Sequence, residues 1–567
     1  MRLSQAYIPT QKEIPSDAII PSHRLMLRAG LIRPLASGVY SYLPFGWRAM
    51  KKAMAIIREE MDRIGGQELH LPVLNPIEIW DESGRNADFG DDMFRLIDRK
   101  ERQLALAPTH EEVVCDLTRK FVKSYKDLPQ IWYQIQTKFR DEPRPKSGVM
   151  RTRQFIMKDS YTLDTDADSL NKAYQLHAQA YRNIFKRCGL RFIEVGASSG
   201  LMGGSGSQEF MVESESGEDT LVLCTQCNYA ANIEVATSVH SGVEEKKSQS
   251  LNKVHTPGKK TIEDVSSFLN KESCQLMKSL LYFSDDNPAL VLIRGDYEVN
   301  ESKLISILGT KVRPAQREEV LEIFGAEPGF VGPVNMRKNA RIIADFALKD
   351  KHDLMTGANE KDYHLSGIEL ERDVQVSDYA DIRCVKADDH CSLCGADLRV
   401  ANAIELGHIF QLGTKYSESM KAFYTDNSGK DNPIFMGSYG IGIERIVAAS
   451  IEQNHDDKGI VWDPVLAPYH VHIIPINMET DAILKTAETL YQECCDKKIE
   501  TLMDDRIVSA GYKFKDADLL GLPLQIIIGD KWIREQKIEI KVRKTGKVMY
   551  ESDKKSVQLI QSMIEKL

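Results

Sequence analysis

The 567-residue sequence predicts an α+β chain divided into about three to five domains. Three observations carry this reading. Apolar residues recur at helical spacing in some segments and alternate at strand spacing in others, the two kinds of segment follow one another along the chain, and the composition turns polar at Ser238.

Met50, Met54, Ile57, Met61 and Ile64 share one helical face, so 43–64 reads as an amphipathic helix stopped by Gly65 and Gly66. GQELHLPVLNP then alternates apolar and polar residues up to Pro72, as a strand ending in a turn does. Residues 131–139 and 154–160 alternate on either side of the loop DEPRPKSGVM, the pattern of an antiparallel hairpin. A helical pattern covers 170–188 and a strand-like one 210–224.

From Ser238, SVHSGVEEKKSQSLNKVHTPGKK has the composition of a linker or long exposed loop. An α/β stretch follows, with a strand at 289–295, a helix at 303–308 and a Gly/Pro-rich loop at 325–335. The final hundred or so residues alternate VHIIPI, a helix at 482–494, LQIIIGD and IEIKVR, as a small α/β domain would. Neither internal repeats nor low-complexity tracts occur.

With 42% hydrophobic and 28% charged residues the composition is that of an ordinary globular protein, which excludes disorder as a global state. The first residues lack a basic stretch followed by an apolar core, and no run approaches the ~18 apolar residues of a membrane span, so a cytoplasmic protein without membrane contact is expected. Ten cysteines in so long a chain make no disulfide scaffold, and two C-x-x-C pairs point instead to thiolate metal chemistry. The net charge of −9 excludes a uniformly basic surface but leaves room for a local one. Lys531, Arg534, Lys537, Lys541, Arg543, Lys544 and Lys547 form such a stretch, readable as a phosphate-binding patch or as a solvated strand face.

The most informative segment is 139–159, FRDEPRPKSGVMRTRQFIMKD, with Arg140, Glu142, Arg151, Arg153 and Phe155 on two strands and a basic loop. A site for ATP needs guanidinium forks for phosphate oxygens, an acceptor for the adenine amino group and an aromatic face for the ring. All three are here. A second segment, MGSYGIGIERIVA at 436–448, places Gly437, Gly440 and Gly442 ahead of Glu444 and Arg445, so that backbone can approach a nucleotide beside another fixed cation.

These segments resemble motifs 2 and 3 of class II aminoacyl-tRNA synthetases, and GGQELHLP ending at Pro72 resembles motif 1. PTHEE (108–112), VMRTRQFIMKDSYT, GLMGGSGSQEF (200–210), CNYAANIE (227–234) and GHIFQLGTKYS (407–417) narrow the resemblance to bacterial-type prolyl-tRNA synthetases over essentially the whole chain. The resemblance implies a class II catalytic domain with a mixed, largely antiparallel sheet at 1–223 and 407–465, an inserted α/β editing-type domain at 224–406, and an α/β anticodon-binding domain at 466–567. It implies a homodimer that joins proline to tRNA(Pro) with ATP and Mg²⁺.

By motif position, Arg140 takes the α-phosphate and the proline carboxylate, Glu142 the adenine amino group, Arg151 and Arg445 the γ-phosphate, and Phe155 the adenine ring. Gln411 and Thr414 fall at the ribose and adenylate. Thr109 and Glu111 receive the imino group, with His408, Gly437 and Ser438 completing the proline site. Arg140 and Arg445 are the catalytic pair. The reaction needs no protein base, because the proline carboxylate attacks phosphorus directly.

Simpler readings stand beside several of these. Thr109 and Glu111 precede a helical pattern at 112–121 and suit capping. His408, in an apolar strand, suits a packed and hydrogen-bonded role. The string Gly203-Gly204-Ser205-Gly206 lacks a dinucleotide fingerprint and reads as a tight turn.

Discrimination against alanine by a proline pocket is worth only about 1–3 kcal/mol per methylene, so a hydrolytic second site is chemically reasonable. The insert resembles the family's deacylase domain through VLIRGDYEVNESKL, Gly332-Pro333, Asp345 and the segment from His364, although Phe283 stands where relatives carry a lysine. Cys224, Cys227, Cys391 and Cys394 bracket the insert and suit a zinc ion or, alternatively, vestigial buried thiols. A non-catalytic tRNA-binding relative would be expected to lose the ATP-site arginines, and a free-standing deacylase would have no use for them; Arg140, Arg151 and Arg445 are all present.

Overall fold

Gln130–Phe139 and Gln154–Asp164 pair antiparallel from Gln130↔Leu163 to Phe139↔Gln154, forming the hairpin that the alternation predicts. The computed structural model describes residues 1–16, 18–204, 206–239, 249–309, 312–387 and 389–566. Ser205 of the glycine string and 240–248 of the expected linker lie outside the described residues.

The chain divides into two units, Met1–Glu194 with Leu201–Asp219 and Asn402–Leu567, and Val195–Gly200 with Thr220–Ala401. In the first unit Gln154–Asp164 also pairs antiparallel with Phe435–Gly442, which pairs with Leu398–Gly413, which pairs with Gly206–Glu213. On the other side Gln67–Glu68 lies parallel to Trp132 and Tyr133. The strand expected before Pro72 is thus only two residues long, and 210–224 is two strands, Gly206–Glu213 and Asp219–Cys224. Proline at 72 cannot donate to a ladder, and Gly217 turns where an added Cβ would strike Ala403 backbone.

Helix Pro44–Arg63 buries Met50, Met54, Ile57 and Met61 against Ala167–Arg187 and Ile443–Gln453 in one continuous core. Residues 471–552 form a five-stranded sheet in the order Thr501–Met503, Val471–Pro475, Leu524–Ile528, Lys537–Val542, Val548–Ser552, with the first three strands parallel. The first residues of the chain close on this sheet: Leu3 N–H donates to the Met503 carbonyl at 2.8 Å and Ser4 N–H to Asp505 at 2.8 Å. The basic run 531–547 is partly spent internally. Lys541 pairs with Asp518 at 3.1 Å and buried Arg543 forks onto both Asp456 oxygens at 2.7 Å, leaving Arg534, Lys537, Lys544 and Lys547 exposed.

The second unit holds a five-stranded sheet, Val312–Pro314, Met277–Ser284, Asn287–Arg294, Arg341–Asp345, Asp378–Ala380, and a three-stranded one, Asn252–His255, Tyr363–Ile368, Leu354–Gly357. The strand Arg341–Asp345 escaped sequence reading because it is apolar over a short span, without clean alternation.

Candidate active site

Helix Glu111–Phe121 begins one residue before its expected start, and the cap is His110 rather than Thr109. The Thr109 hydroxyl instead donates to Glu111 Oε2 at 2.5 Å. Ser438, on Phe435–Gly442, donates to Glu111 Oε1 at 2.6 Å, and Arg85 Nη1 lies 3.1 Å from Oε2. Glu111 is fully buried, so these three donors hold one carboxylate in one orientation away from water. Thr109, Glu111 and Ser438 are therefore brought together.

Behind this carboxylate the strand hairpin is braced by buried ions. Lys138 Nζ is 2.7 Å from Asp159 Oδ1, and Tyr161 donates to Asp159 Oδ2 at 2.8 Å while accepting from His110 N–H at 3.0 Å. His110 Nε2–H donates to the carbonyl of Pro72 at 3.1 Å, which ties the motif 1 proline to the PTHEE segment. Burial, aided by Lys138, pushes His110 down to about 4, so the ring is neutral near pH 7.

Gly437 has a local reason to be glycine. A Cβ there would sit 2.1 Å from the Tyr439 hydroxyl and 2.8 Å from Thr162 Oγ1, and Tyr439 is locked by stacking on His177 at 3.7 Å. At Gly440 the nearest atom would be Met157 Sδ at 3.5 Å, an ordinary contact. Packing thus requires glycine at 437 and does not require it at 440.

The arginines divide by their partners. Among the described residues the Arg140 guanidinium makes no hydrogen bond or ion pair; it is exposed, and its Cζ lies 5.2 Å from the Phe155 ring centroid. Arg445, in the first turn of Ile443–Gln453, is anchored by Glu405 Oε2 at 2.7 Å, the Glu405 carbonyl at 2.9 Å and the Met150 carbonyl at 3.0 Å. Arg151 pairs with Glu142 at 2.7 Å, and Arg153 Nε donates to the Glu142 carbonyl at 3.0 Å. Gln411 donates to Asn171 at 3.2 Å, and Thr414 precedes helix Lys415–Ser419.

His408 belongs to a different group from Glu111. Its Nδ1 lies 3.4 Å from Glu209 and 3.5 Å from Glu405, its ring stacks on Phe410 at 3.8 Å, and its buried Nε2 has no hydrogen-bond partner among the described residues. Burial raises the Glu405 carboxyl, but His408 and Arg445 outweigh it and hold the group well below the usual range. One ligand atom each from Glu209, Glu405 and His408 lies within 4.8 Å of the others, and the two carboxylates suit a hard divalent cation.

In the second unit, Gly332 packs against Gly357, where a Cβ would meet the carbonyl oxygen at 2.1 Å, and Gly357 is the register partner of His364. His364 Nδ1 is 2.7 Å from the Thr256 hydroxyl and its ring lies edge-on to Phe330 at 5.9 Å. Pro333 is buried next to Gly332. Asp345 is not with them: its oxygens accept from Ala347 N–H at 2.8 Å and Ile382 N–H at 2.9 Å, with Arg383 at 3.3 Å, a fully buried bracing role. Phe283 carries the Arg313 guanidinium on its face at 4.9 Å.

The family model described as "tRNA synthetase class II core domain (G, H, P, S and T)" matches residues 94–454, more than half of the chain, and "Anticodon binding domain" matches 470–562. The proline–tRNA ligase of Halothermothrix orenii is 49% identical over 567 residues, covering 100% of both chains, and that of Syntrophus aciditrophicus is 48% identical over 96% of this chain and 95% of its own. The chain belongs to the proline–tRNA ligase family of class II synthetases. Prolyl-tRNA synthetase from Cryptosporidium parvum, crystallised with L-proline and AMP, shares the fold with a TM-score of 0.58 at 12% identity, over 98% of this chain and 77% of that one.

For this proline–tRNA ligase chain, sequence reading missed Arg85, Glu209 and Glu405. Glu405 had a signal: a lone acid inside the apolar run ANAIELGHIF. Arg85 had none, since it sits in the polar stretch DESGRNADFGDD and only the fold buries it.

Proposed function

We propose that the chain activates proline with ATP and transfers it to tRNA(Pro). One proline carboxylate oxygen bonds to the α-phosphorus as the bond to pyrophosphate breaks. A terminal hydroxyl of the tRNA then attacks the carbonyl carbon of prolyl-adenylate, and AMP leaves. The observation that carries this reading is the buried Glu111 carboxylate held by Thr109, Ser438 and Arg85, in a unit that also presents the Arg140 guanidinium, which among the described residues makes no hydrogen bond or ion pair.

Glu111 and Thr109 receive the secondary ammonium of proline, and Ser438 with Gly437 forms the adjoining wall. Arg140 meets the α-phosphate and the carboxylate, Phe155 stacks on adenine, and Glu142 accepts from its amino group. Arg151 and Arg445 face the γ-phosphate, with Gln411 and Thr414 at the ribose. His408 is better placed beside the cation than at the proline ring. When bound, Mg²⁺ neutralises charge on the leaving pyrophosphate, and Glu209 and Glu405 would hold it. Positioning and fixed charge supply the catalysis.

The remaining parts follow the same reading. Residues 470–562 bind the anticodon end of tRNA(Pro), the catalytic units pair as a homodimer through the motif 1 region, and the site of action is the cytoplasm, where tRNA is charged. Residues 224–406 hydrolyse alanyl-tRNA(Pro), with Gly332, Pro333 and His364 shaping a small pocket, while Asp345 braces the fold elsewhere in the same unit.

Exchange of pyrophosphate into ATP, dependent on proline and independent of tRNA, tests the central claim; better exchange with another amino acid would overturn it. Deacylation of alanyl-tRNA(Pro) faster than prolyl-tRNA(Pro), lost on deletion of about residues 240–380, tests the second site. An intact enzyme that leaves alanyl-tRNA untouched would refute it.

A further inference from the structure

Where the chain enters and leaves the second unit, four cysteines from two widely separated segments converge. We infer that Cys224, Cys227, Cys391 and Cys394 form a structural zinc site made of two thiolate knuckles. Cys224 Sγ lies 3.5 Å from Cys394 Sγ, Cys227 Sγ lies 3.6 Å from Cys391 Sγ, and all four sulfurs fall within 4.8 Å of one another. A tetrahedral zinc with Zn–S bonds of about 2.3 Å sets its sulfurs about 3.8 Å apart, whereas disulfides draw them to about 2.05 Å. Four thiols packed at this spacing match the first geometry, not the second.

The backbone is shaped for anionic sulfur. Gln226 and Cys227 N–H both donate to Cys224 Sγ at 3.3 Å, Tyr229 N–H to Cys227 Sγ at 3.4 Å, and Leu393 N–H to Cys391 Sγ at 3.4 Å. Both C-x-x-C turns therefore fold their amides onto the sulfur, as the second shell of a thiolate site requires. All four positions are taken by sulfur, so no open coordination position remains and the ion has no catalytic task.

The need for such an ion is visible in the packing. The apolar core around the cysteines is small, with Val222, Ala231, Ala236, Val385 and Leu398 as its other buried members, and the strands joining its two halves, Ser238–Val239 and His390–Cys391, are two residues each. A core of this size needs a cross-link. Zinc binding free energy becomes folding free energy for these two segments.

The experiment uses the full chain, purified without chelator. Metal analysis should find about one zinc per chain, falling to background in a Cys391→Ser/Cys394→Ser variant. Replacement by Co²⁺ should give the thiolate charge-transfer and d–d bands of a tetrahedral sulfur site in the wild type. Chelation should make the chain newly sensitive to proteolysis within 222–239 and 385–398. Less than about a tenth of an equivalent of zinc together with no tetrahedral Co²⁺ spectrum, or non-reducing mass analysis finding two disulfides among these cysteines, overturns the inference. The wild-type metal and cobalt measurements stand even if the variant does not fold. They are also independent of proline activation, so a zinc-loaded chain without exchange activity would sink the proposed reaction and leave this site intact.

Discussion

Arg85 Nη1 lies 3.1 Å from Glu111 and 3.0 Å from Glu112, and all three side chains are shut off from solvent. One guanidinium thus faces two carboxyl groups inside the protein. Burial raises the Glu112 carboxyl, with Arg85 acting against that rise. On the proposed reading, the secondary ammonium of proline would bring a second positive charge to this cluster.

Arg85→Lys should therefore weaken proline more than ATP. A lost hydrogen bond to a charged group costs about 1.5–3 kcal/mol, or roughly 10- to 100-fold. KM for proline should rise in that range with KM for ATP little changed, as measured by pyrophosphate exchange. Equal changes in both would mean that Arg85 only supports the fold.

Arg140→Ala and Arg445→Ala should each lower the exchange rate about 10²- to 10³-fold, the usual effect of losing one preorganised donor. Arg153→Ala should cost far less, because the proposed reaction develops no charge at its position, where its Nε donates to the Glu142 carbonyl at 3.0 Å. Equal losses at the three positions would remove the assigned roles of Arg140 and Arg445.

Two glycines of one strand should fail differently. Gly437→Ala drives a methyl into the locked Tyr439 hydroxyl, an overpacking worth about 1–3 kcal/mol that also displaces Ser438 from Glu111. Gly440→Ala should keep its thermal midpoint and raise KM for ATP. A variant pair with matching midpoints and matching KM values would contradict this.

Glu444 gives a pH signature. Burial lifts its carboxyl from 4.5 to about 7, where Oε1 accepts from Ile156 N–H at 2.7 Å and from Tyr42 at 3.1 Å. Because the folded value lies above the unfolded one, the folded state holds the proton more tightly. Its stabilising contribution is full below about 4.5 and is lost as pH rises through about 7. The stability difference between wild type and Glu444→Gln should thus move toward the variant by about 3 kcal/mol from pH 4.5 to pH 8. Thermal midpoints of both proteins across that range measure it, and a constant difference would refute the assignment.

Much of this was legible in the residues. Periodicity marked the 43–64 helix and the 130–164 hairpin because their burial repeats at the periods of helix and strand. The motifs singled out Arg140, Glu111 and Arg445 because each is a charge in a recognisable local sequence frame. What escaped depends on long-range contact. Arg85 reaches Glu111 across 26 positions, and His408 meets Glu209 only through strand pairing nearly two hundred residues apart. No local pattern encodes either meeting.

The hydrogen bonds from Leu3 and Ser4 to Met503 and Asp505 also bear on how the molecule is made. Each of these bonds joins positions about five hundred apart in the chain. Closing a loop that long costs only modestly more entropy than closing a short one, because the cost grows with the logarithm of length. Loosening the sheet of 471–552 would therefore release residues 3 and 4 as well, so the two parts of the sequence should lose protection together.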